Sequence, residues 1–286
     1  MRWIWLVTIA LAALAAPATG GPSPAVEILR DLVYASPGGV TLRLDAYLQP
    51  GPGPHPAVIY VHGGGWTRGS KEPGPRQFLM PHASGAGYVI FSIEYRLAPE
   101  HQYPAAADDV RAAIRFVQAS AARFRVDPTR LAISGASAGG HLVSLVGTTP
   151  CDGPAGRGPA GCSVRAVIDF FGPVDLRGGR NVAPVRAFLG PGLDSDDAGR
   201  LLTEASPITH VSRDDPPVLI LHGDRDPVVP YAQSVAFERA LREAGASIRL
   251  VTVPGGDHGG NWTRIASVNW RSEIVRWLDQ HVRPAR

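Results

Sequence analysis

The sequence predicts an α/β fold: a mostly parallel sheet with helices on both faces. Two observations carry this prediction. Continuous, largely apolar runs of strand length stand at residues 57–61 and 89–93, and further strand-length segments follow at 131–134, 164–170, 218–221 and 248–253. Strands buried on both faces of a parallel sheet read this way, without alternation. Segments with helical periodicity separate several of these runs, and alternating strand and helix patterns mark α/β architecture.

Taken in order, residues 26–35 and 40–48 alternate in polarity around Pro37-Gly38-Gly39, which is a hairpin signal. Residues 50–54 (PGPGP) make a rigid turn before the run at 57–61. Pro104 opens a helix that places Val110, Ile114, Val117 and Ala121 on one face, and Asp127-Pro128 ends it. Residues 131–134 form a short strand, and residues 140–146 suit a helix. Further helices are expected at 231–244 and 269–281. The stretch 172–215 is irregular, rich in glycine and proline, and longer than a usual connection, so it is expected to act as a lid or binding wall.

The chain has 286 residues, with 44% hydrophobic and 19% charged content, as a folded domain with a sizeable core requires. No linker divides it, so residues 21–286 read as one domain behind a leader at 1–20. That leader has Arg2, an apolar run at 4–16 and the small-x-small sequence Ala16-Pro17-Ala18. This is the pattern of a secretory signal peptide, cleaved after Ala18 or Gly20. The run is short for a membrane span. A secreted or periplasmic protein without stable membrane insertion is the expectation; a retained anchor or a hydrophobic first helix is the alternative. The 28 basic residues include one lysine, Lys71, and are scattered against 25 acidic ones. Nucleic-acid binding would need a basic face, so it is excluded. Cys151 and Cys162 flank a Gly/Pro-rich loop, and in an exported chain such a pair is expected to form a disulfide. Two cysteines without a neighbouring histidine are too few for a metal site, so no metal and no cofactor is expected.

The chemistry starts at GASAGG, residues 135–140. Gly-x-Ser-x-Gly between strand and helix is the nucleophile elbow, which lifts Ser137 above the sheet edge on a strained turn. A serine hydroxyl needs a base held in the correct tautomer. Asp226 and His258 follow in that chain order, each in a loop after a predicted strand. Those loops lie at the edge where open α/β sheets place their sites. Asp224 is the rival acid; it directly follows the strand turn and reads as turn structure. Asp257 reads as a solvated loop residue, and His222 as a buried, hydrogen-bonded end of a strand. His55, His82, His210 and His281 carry no motif. His62-Gly63-Gly64-Gly65-Trp66 follows the 57–61 strand and matches the glycine-rich oxyanion element that accompanies the elbow, with the Ala138 N–H as the other donor.

HGGGW followed by Arg68-Gly69-Ser70-Lys71, the block Tyr95-Arg96-Leu97-Ala98-Pro99-Glu100-His101, GASAGGHL and GDRDPVVP together resemble the α/β-hydrolase carboxylesterases of the hormone-sensitive-lipase-like group. The nearer resemblance is to the capless secreted acetylxylan and feruloyl esterase-like enzymes, over residues 40–282. It implies an α/β-hydrolase fold without a large cap domain. It also implies a Ser137–His258–Asp226 triad, an oxyanion hole lined by Gly64, Gly65 and Ala138, and substrate binding at Trp66. The 95–100 block braces the site. The implied activity is hydrolysis of short-chain, acetyl or aryl esters, small or linked to polysaccharide, through an acyl-enzyme. Two other readings stay open here: an arylformamidase-like or peptidase-like hydrolase, and a non-catalytic binding protein on this fold. Too few residues follow the leader for the helical cap of the lipase-like group, which weakens a lipid substrate. The acyl and alcohol specificity and the oligomeric state are not legible in the sequence.

Overall fold

The computed structural model describes residues 26–72, 78–151, 163–265 and 268–283; the leader and Cys162 lie outside the described residues. Eight strands form one sheet: β1 (Glu27–Ala35), β2 (Leu42–Leu48), β3 (His55–Val61), β4 (Val89–Ile93), β5 (Val126–Ala136), β6 (Ala166–Phe170), β7 (Val218–Gly223) and β8 (Ile248–Val253). Their spatial order is β1-β2-β4-β3-β5-β6-β7-β8. The pairs β1/β2 and β2/β4 are antiparallel, and every pair from β4/β3 to β7/β8 is parallel. The predicted hairpin is therefore an antiparallel extension of a parallel sheet.

The longer helices that frame it, among the described residues, are α1 (Ala105–Ala119), α2 (Ala138–Thr148), α3 (Ala183–Leu189), α4 (Ala198–Glu204), α5 (Ala232–Ala244) and α6 (Trp270–His281). β3 shows why both faces must be covered. Ala57, Ile59 and Val61 join one core cluster with α1, α2 and α5, while Val58 and Tyr60 join the other with α6. Successive strand residues point to opposite faces, so an all-apolar strand needs a layer on each side. On α1, Val110, Ile114 and Val117 are buried as the periodicity requires, but Ala121 belongs to a separate single turn after Ser120.

Two expectations are corrected. Asp127-Pro128 does not simply close the helical region. It opens β5, at the irregular pairing with β3 where the register shifts, a position that tolerates a proline without a ladder N–H. Nor is 172–215 an irregular loop throughout. It contains α3 and α4, and Val185, Phe188, Leu189, Leu193 and Leu202 from this stretch are buried. The proline and glycine that looked like loop signals are the punctuation of α3: Pro184 lies in its first turn and Gly190, at φ 72°, stops it.

The chain passes from β3 to β4 on one side, and β5 lies on the other side of β3. This is a switch point, where the loops leaving adjacent parallel strands diverge and open a crevice. The loop 62–66 leaves β3 there, and Ser137 leaves β5 beside it.

Candidate active site

Ser137 stands between β5 and α2 with φ 56° and ψ −120°, a backbone conformation that a non-glycine residue rarely adopts. The surroundings hold it there. Its N–H donates to Phe170 O at 2.8 Å, and its own carbonyl accepts from His141 N at 2.9 Å. The flanking glycines are sterically required. A Cβ on Gly135 would lie 2.3 Å from Gly139 O, and one on Gly139 would lie 2.1 Å from Val61 O. Both obstacles are backbone, so neither can swing aside.

Asp226 follows β7 and His258 follows β8. The structure brings them to Ser137: His258 Nε2 lies 2.9 Å from Ser137 Oγ, and His258 Nδ1 lies 2.6 Å from Asp226 Oδ2. The Asp226 side chain has no exposed area. Its Oδ1 accepts from the N–H groups of Val228 and Val229 at 2.7 and 3.0 Å. Its Oδ2 also faces His222 Nε2 at 3.1 Å. Burial works to raise the Asp226 pKa. The hydrogen bonds from His222, His258, Val229 and Val228 outweigh it and hold the carboxyl well below the usual carboxylate range. The Phe171 ring packs 4.5 Å from that of His258, limiting how the imidazole can turn.

The rival acid sits elsewhere. Asp224 Oδ1 accepts from Gly255 N at 2.7 Å and ties the two loops together. Asp257 is not merely solvated: Oδ1 accepts from Asn261 N at 3.0 Å, and its carbonyl accepts from Trp262 Nε1 at 2.8 Å. His222 is buried and hydrogen-bonded as its place in the strand suggested. The sequence offered no sign that one of its partners is Asp226.

The glycine-rich loop has the backbone that its composition allows. Gly64 has φ 118°, Gly65 φ 61° and Trp66 φ 61°. A Cβ on Gly64 would lie 2.0 Å from Arg68 O. The N–H groups of Gly64, Gly65 and Ala138 meet no acceptor among the described residues, while Gly65, Ser137 and Ala138 line one cavity. Unpartnered amides beside a nucleophile are what a developing oxyanion needs. The loop is braced from behind. Tyr95 stacks on His62 at 4.2 Å and donates its hydroxyl to His62 O at 3.2 Å. Lys71 is buried between Asp31 and Asp45, 3.0 Å from each. The Trp66 ring is largely buried: it stacks on Phe188 at 4.7 Å and donates Nε1–H to His141 Nδ1 at 3.1 Å. His141 in turn donates Nε2–H to Ala205 O at 2.8 Å, and burial depresses its pKa to about 4. The indole N–H is thus committed to the wall, and Trp66 is one of the residues that line the cavity.

Two cavities meet at Ser137. One, of about 370 Å³, runs under Trp66, Leu176, Val185 and Val229. The other, of about 600 Å³, runs past His258, Phe171, Phe78 and Arg68. They share Gly65, Ser137, Pro184 and Val228. Among the described residues no group of three His, Cys, Asp or Glu side chains could hold a metal, and no helix is long and apolar enough to cross a membrane. The Cys151–Cys162 pairing lies outside the described residues because Cys162 does.

Comparison with known proteins agrees with the fold. The BD-FAE family model matches residues 44–241, and a TAP-like protein model matches 199–285. Esterase LipQ of Mycobacterium tuberculosis is 35% identical over 240 residues, covering 80% of this chain and 56% of its own length. The chain spans about half the length of the first curated relatives it matches. A truncated carbohydrate esterase from gut microbiota superposes with a TM-score of 0.78 at 29% identity, covering 91% of this chain and 98% of that one. The propionate-bound esterase Est2 of the planctomycete Thermogutta terrifontis gives 0.72 at 26%, covering 93% and 98%.

Proposed function

The chain belongs to the BD-FAE family on an α/β-hydrolase fold, and from that premise we propose that it is an exported serine carboxylesterase acting on short acyl or aryl esters of hydroxyl-rich alcohols. The observation that carries the proposal is the continuous contact Ser137 Oγ–His258 Nε2 and His258 Nδ1–Asp226 Oδ2 beside unpartnered amides. His258 takes the Ser137 proton as Oγ attacks the ester carbonyl, and the amides of Gly64, Gly65 and Ala138 receive the oxyanion. His258 then gives that proton to the departing alcohol. A water molecule, deprotonated by the same imidazole, releases the acid and restores Ser137. Asp226 stays ionised throughout and fixes the ring tautomer.

The same proton bookkeeping divides the cavities. The departing oxygen must lie beside His258, so the cavity lined by His258 takes the alcohol. The cavity without it takes the acyl group, and its lining by Trp66, Leu176, Val182, Val185 and Val228 suits an apolar chain or ring. Arg68 at the mouth of the alcohol cavity suits a polar leaving group. The relatives support this class: one is a carbohydrate esterase, another was captured with propionate. The leader-like sequence at 1–20 supports export.

The test is hydrolysis of p-nitrophenyl acetate, butyrate and a long-chain ester, with Ser137→Ala as the control. Short-ester turnover that vanishes in the variant is expected, with acetylated and feruloylated saccharides as the next panel. A long-chain preference would overturn the short-acyl assignment. Equal activity in folded Ser137→Ala would overturn the triad and favour a binding protein or another hydrolase class.

A further inference from the structure

We propose that His222 and Ser234 are positioning residues that extend the Ser137–His258–Asp226 chain into the protein interior and set the basicity of Asp226 toward His258. The inference rests on the reading of Ser137, His258 and Asp226 as the reacting set. His222 lies near the C-terminus of β7 and Ser234 in the first turn of α5; both are fully buried. His222 Nε2 faces two acceptors, Asp226 Oδ2 at 3.1 Å and Val229 O at 3.0 Å. An imidazole nitrogen between two acceptors carries the hydrogen. Nδ1 is then the lone-pair nitrogen, and Ser234 Oγ, 2.6 Å away, donates to it. A hydroxyl on a helix thereby fixes the tautomer of a histidine on a strand.

The consequence falls on Asp226. Oδ2 receives N–H groups from both His258 and His222, and Oδ1 receives the amides of Val228 and Val229. The acceptor capacity of the carboxylate is filled, so it cannot rotate without breaking bonds. Its charge is also shared among four donors, which limits its pull on the His258 proton. Losing the His222 donor concentrates that charge on the bond to His258. The groups facing His222 are Asp226 on the following loop, Asp169 from β6, Tyr231 from the turn before α5, and His258 through Asp226. The Tyr231 hydroxyl is engaged with Thr252 Oγ1 at 2.5 Å. Ser234→Ala changes the charge of none of them.

The experiment compares pH profiles of kcat/KM for Ser234→Ala, His222→Leu and His222→Gln, with active sites counted by an organophosphate burst. Ser234→Ala and His222→Leu are expected to lower kcat/KM per active site about tenfold and move the acid limb upward by about half a pH unit. Glutamine can return an N–H near the Nε2 position, so His222→Gln should recover part of both effects. A purely structural role predicts fewer active sites with the acid limb unmoved and glutamine no better than leucine, and that result overturns the inference. If His222→Leu does not fold, Ser234→Ala decides alone: an unmoved acid limb refutes. Wild-type ester turnover separates this outcome from failure of the esterase reading, which would show no turnover to profile.

Discussion

Replacing Asp169 with asparagine should stabilise the protein in alkaline buffer and not in acid. Asp169 is fully buried on β6 beneath the elbow. Burial raises its pKa from 3.8 to about 6, against the opposing pull of Gly172 N–H, the Ser144 hydroxyl and the more distant His222. The sign follows from proton counting. The folded pKa lies above the unfolded one, so the folded chain holds more protons between those values. Stability therefore falls as pH rises through roughly 4 to 6 and stays lower above that window. A shift of about two units corresponds to about 3 kcal/mol at pH 8. Asparagine keeps an acceptor for Gly172 N, now at 2.8 Å, and requires Ser144 Oγ, now a donor at 3.0 Å, to turn its hydrogen elsewhere. Allowing about 1 kcal/mol for that rearrangement leaves a net gain of about 2 kcal/mol at pH 8 and a small loss near pH 4. Urea unfolding of both proteins at pH 4.5 and pH 8 measures it. An effect of Asp169→Asn that is equal at the two pH values would refute the reasoning, because only an ionising wild-type group makes the difference pH-dependent.

Four further outcomes are expected. Asp226→Asn should lower kcat by about 10³ to 10⁴, since an amide cannot hold the His258 tautomer, and steady-state kinetics at saturating short ester will read it. Gly139→Ala should cost roughly 3 kcal/mol or more, because its Cβ meets the Val61 carbonyl at 2.1 Å, whereas Gly199→Ala at an exposed position of α4, with nothing within 4 Å, should gain about 0.5 to 1 kcal/mol; thermal melts compare the two. Cys151 and Cys162 should resist alkylation in denaturant until reduced, and reduction should cost about 3 kcal/mol; labelling without reductant would show free thiols and refute the pairing. Removal of the leader-like segment should leave a chain that begins at Thr19 or Gly21 by N-terminal sequencing, and an intact Met1 would favour the retained leader.

What was legible in the sequence follows from how locally each feature is determined. β3, β4, β6 and β7 announce themselves because both faces of each are buried, so nearly every residue must be apolar. Gly135 and Gly139 are legible because a backbone clash leaves no other residue possible. Ser137, Asp226 and His258 each follow a strand, and strand ends at one sheet edge converge whatever the intervening loops do. The link from His222 to Ser234 depends instead on how α5 docks against β7, which no local pattern encodes. The same holds for Trp66, whose indole finds His141 on α2 and Phe188 on α3, partners 75 and 122 positions away in a chain where other aromatics were equally available. In 172–215, glycine and proline masked α3 because Pro184 in the first turn and Gly190 just past the end of a helix of only 7 residues resemble a loop as much as a two-turn helix.

This division also explains why the chemistry can be read before the substrate. Ser137, His258, Asp226 and the 62–66 loop rest on the sheet edge, whose geometry the strands dictate. The cavity proposed for the acyl group is lined by α3 and by residues 228–230, and its lining includes Val182 and Val228, 50% and 63% exposed. Two large apolar side chains left in water at a cavity mouth gain by being covered, at about 25 cal/mol for each Å² removed from solvent. That gain comes only with an acyl group long or broad enough to reach them. Val228 stands on the ridge between both cavities and is two residues from Asp226, to which its N–H donates at 2.7 Å. In the proposed reaction the backbone of this residue therefore serves Asp226 while its side chain faces the cavities assigned to the two halves of the ester. Substituting the side chain can change specificity on both sides while leaving the bond to Asp226 in place.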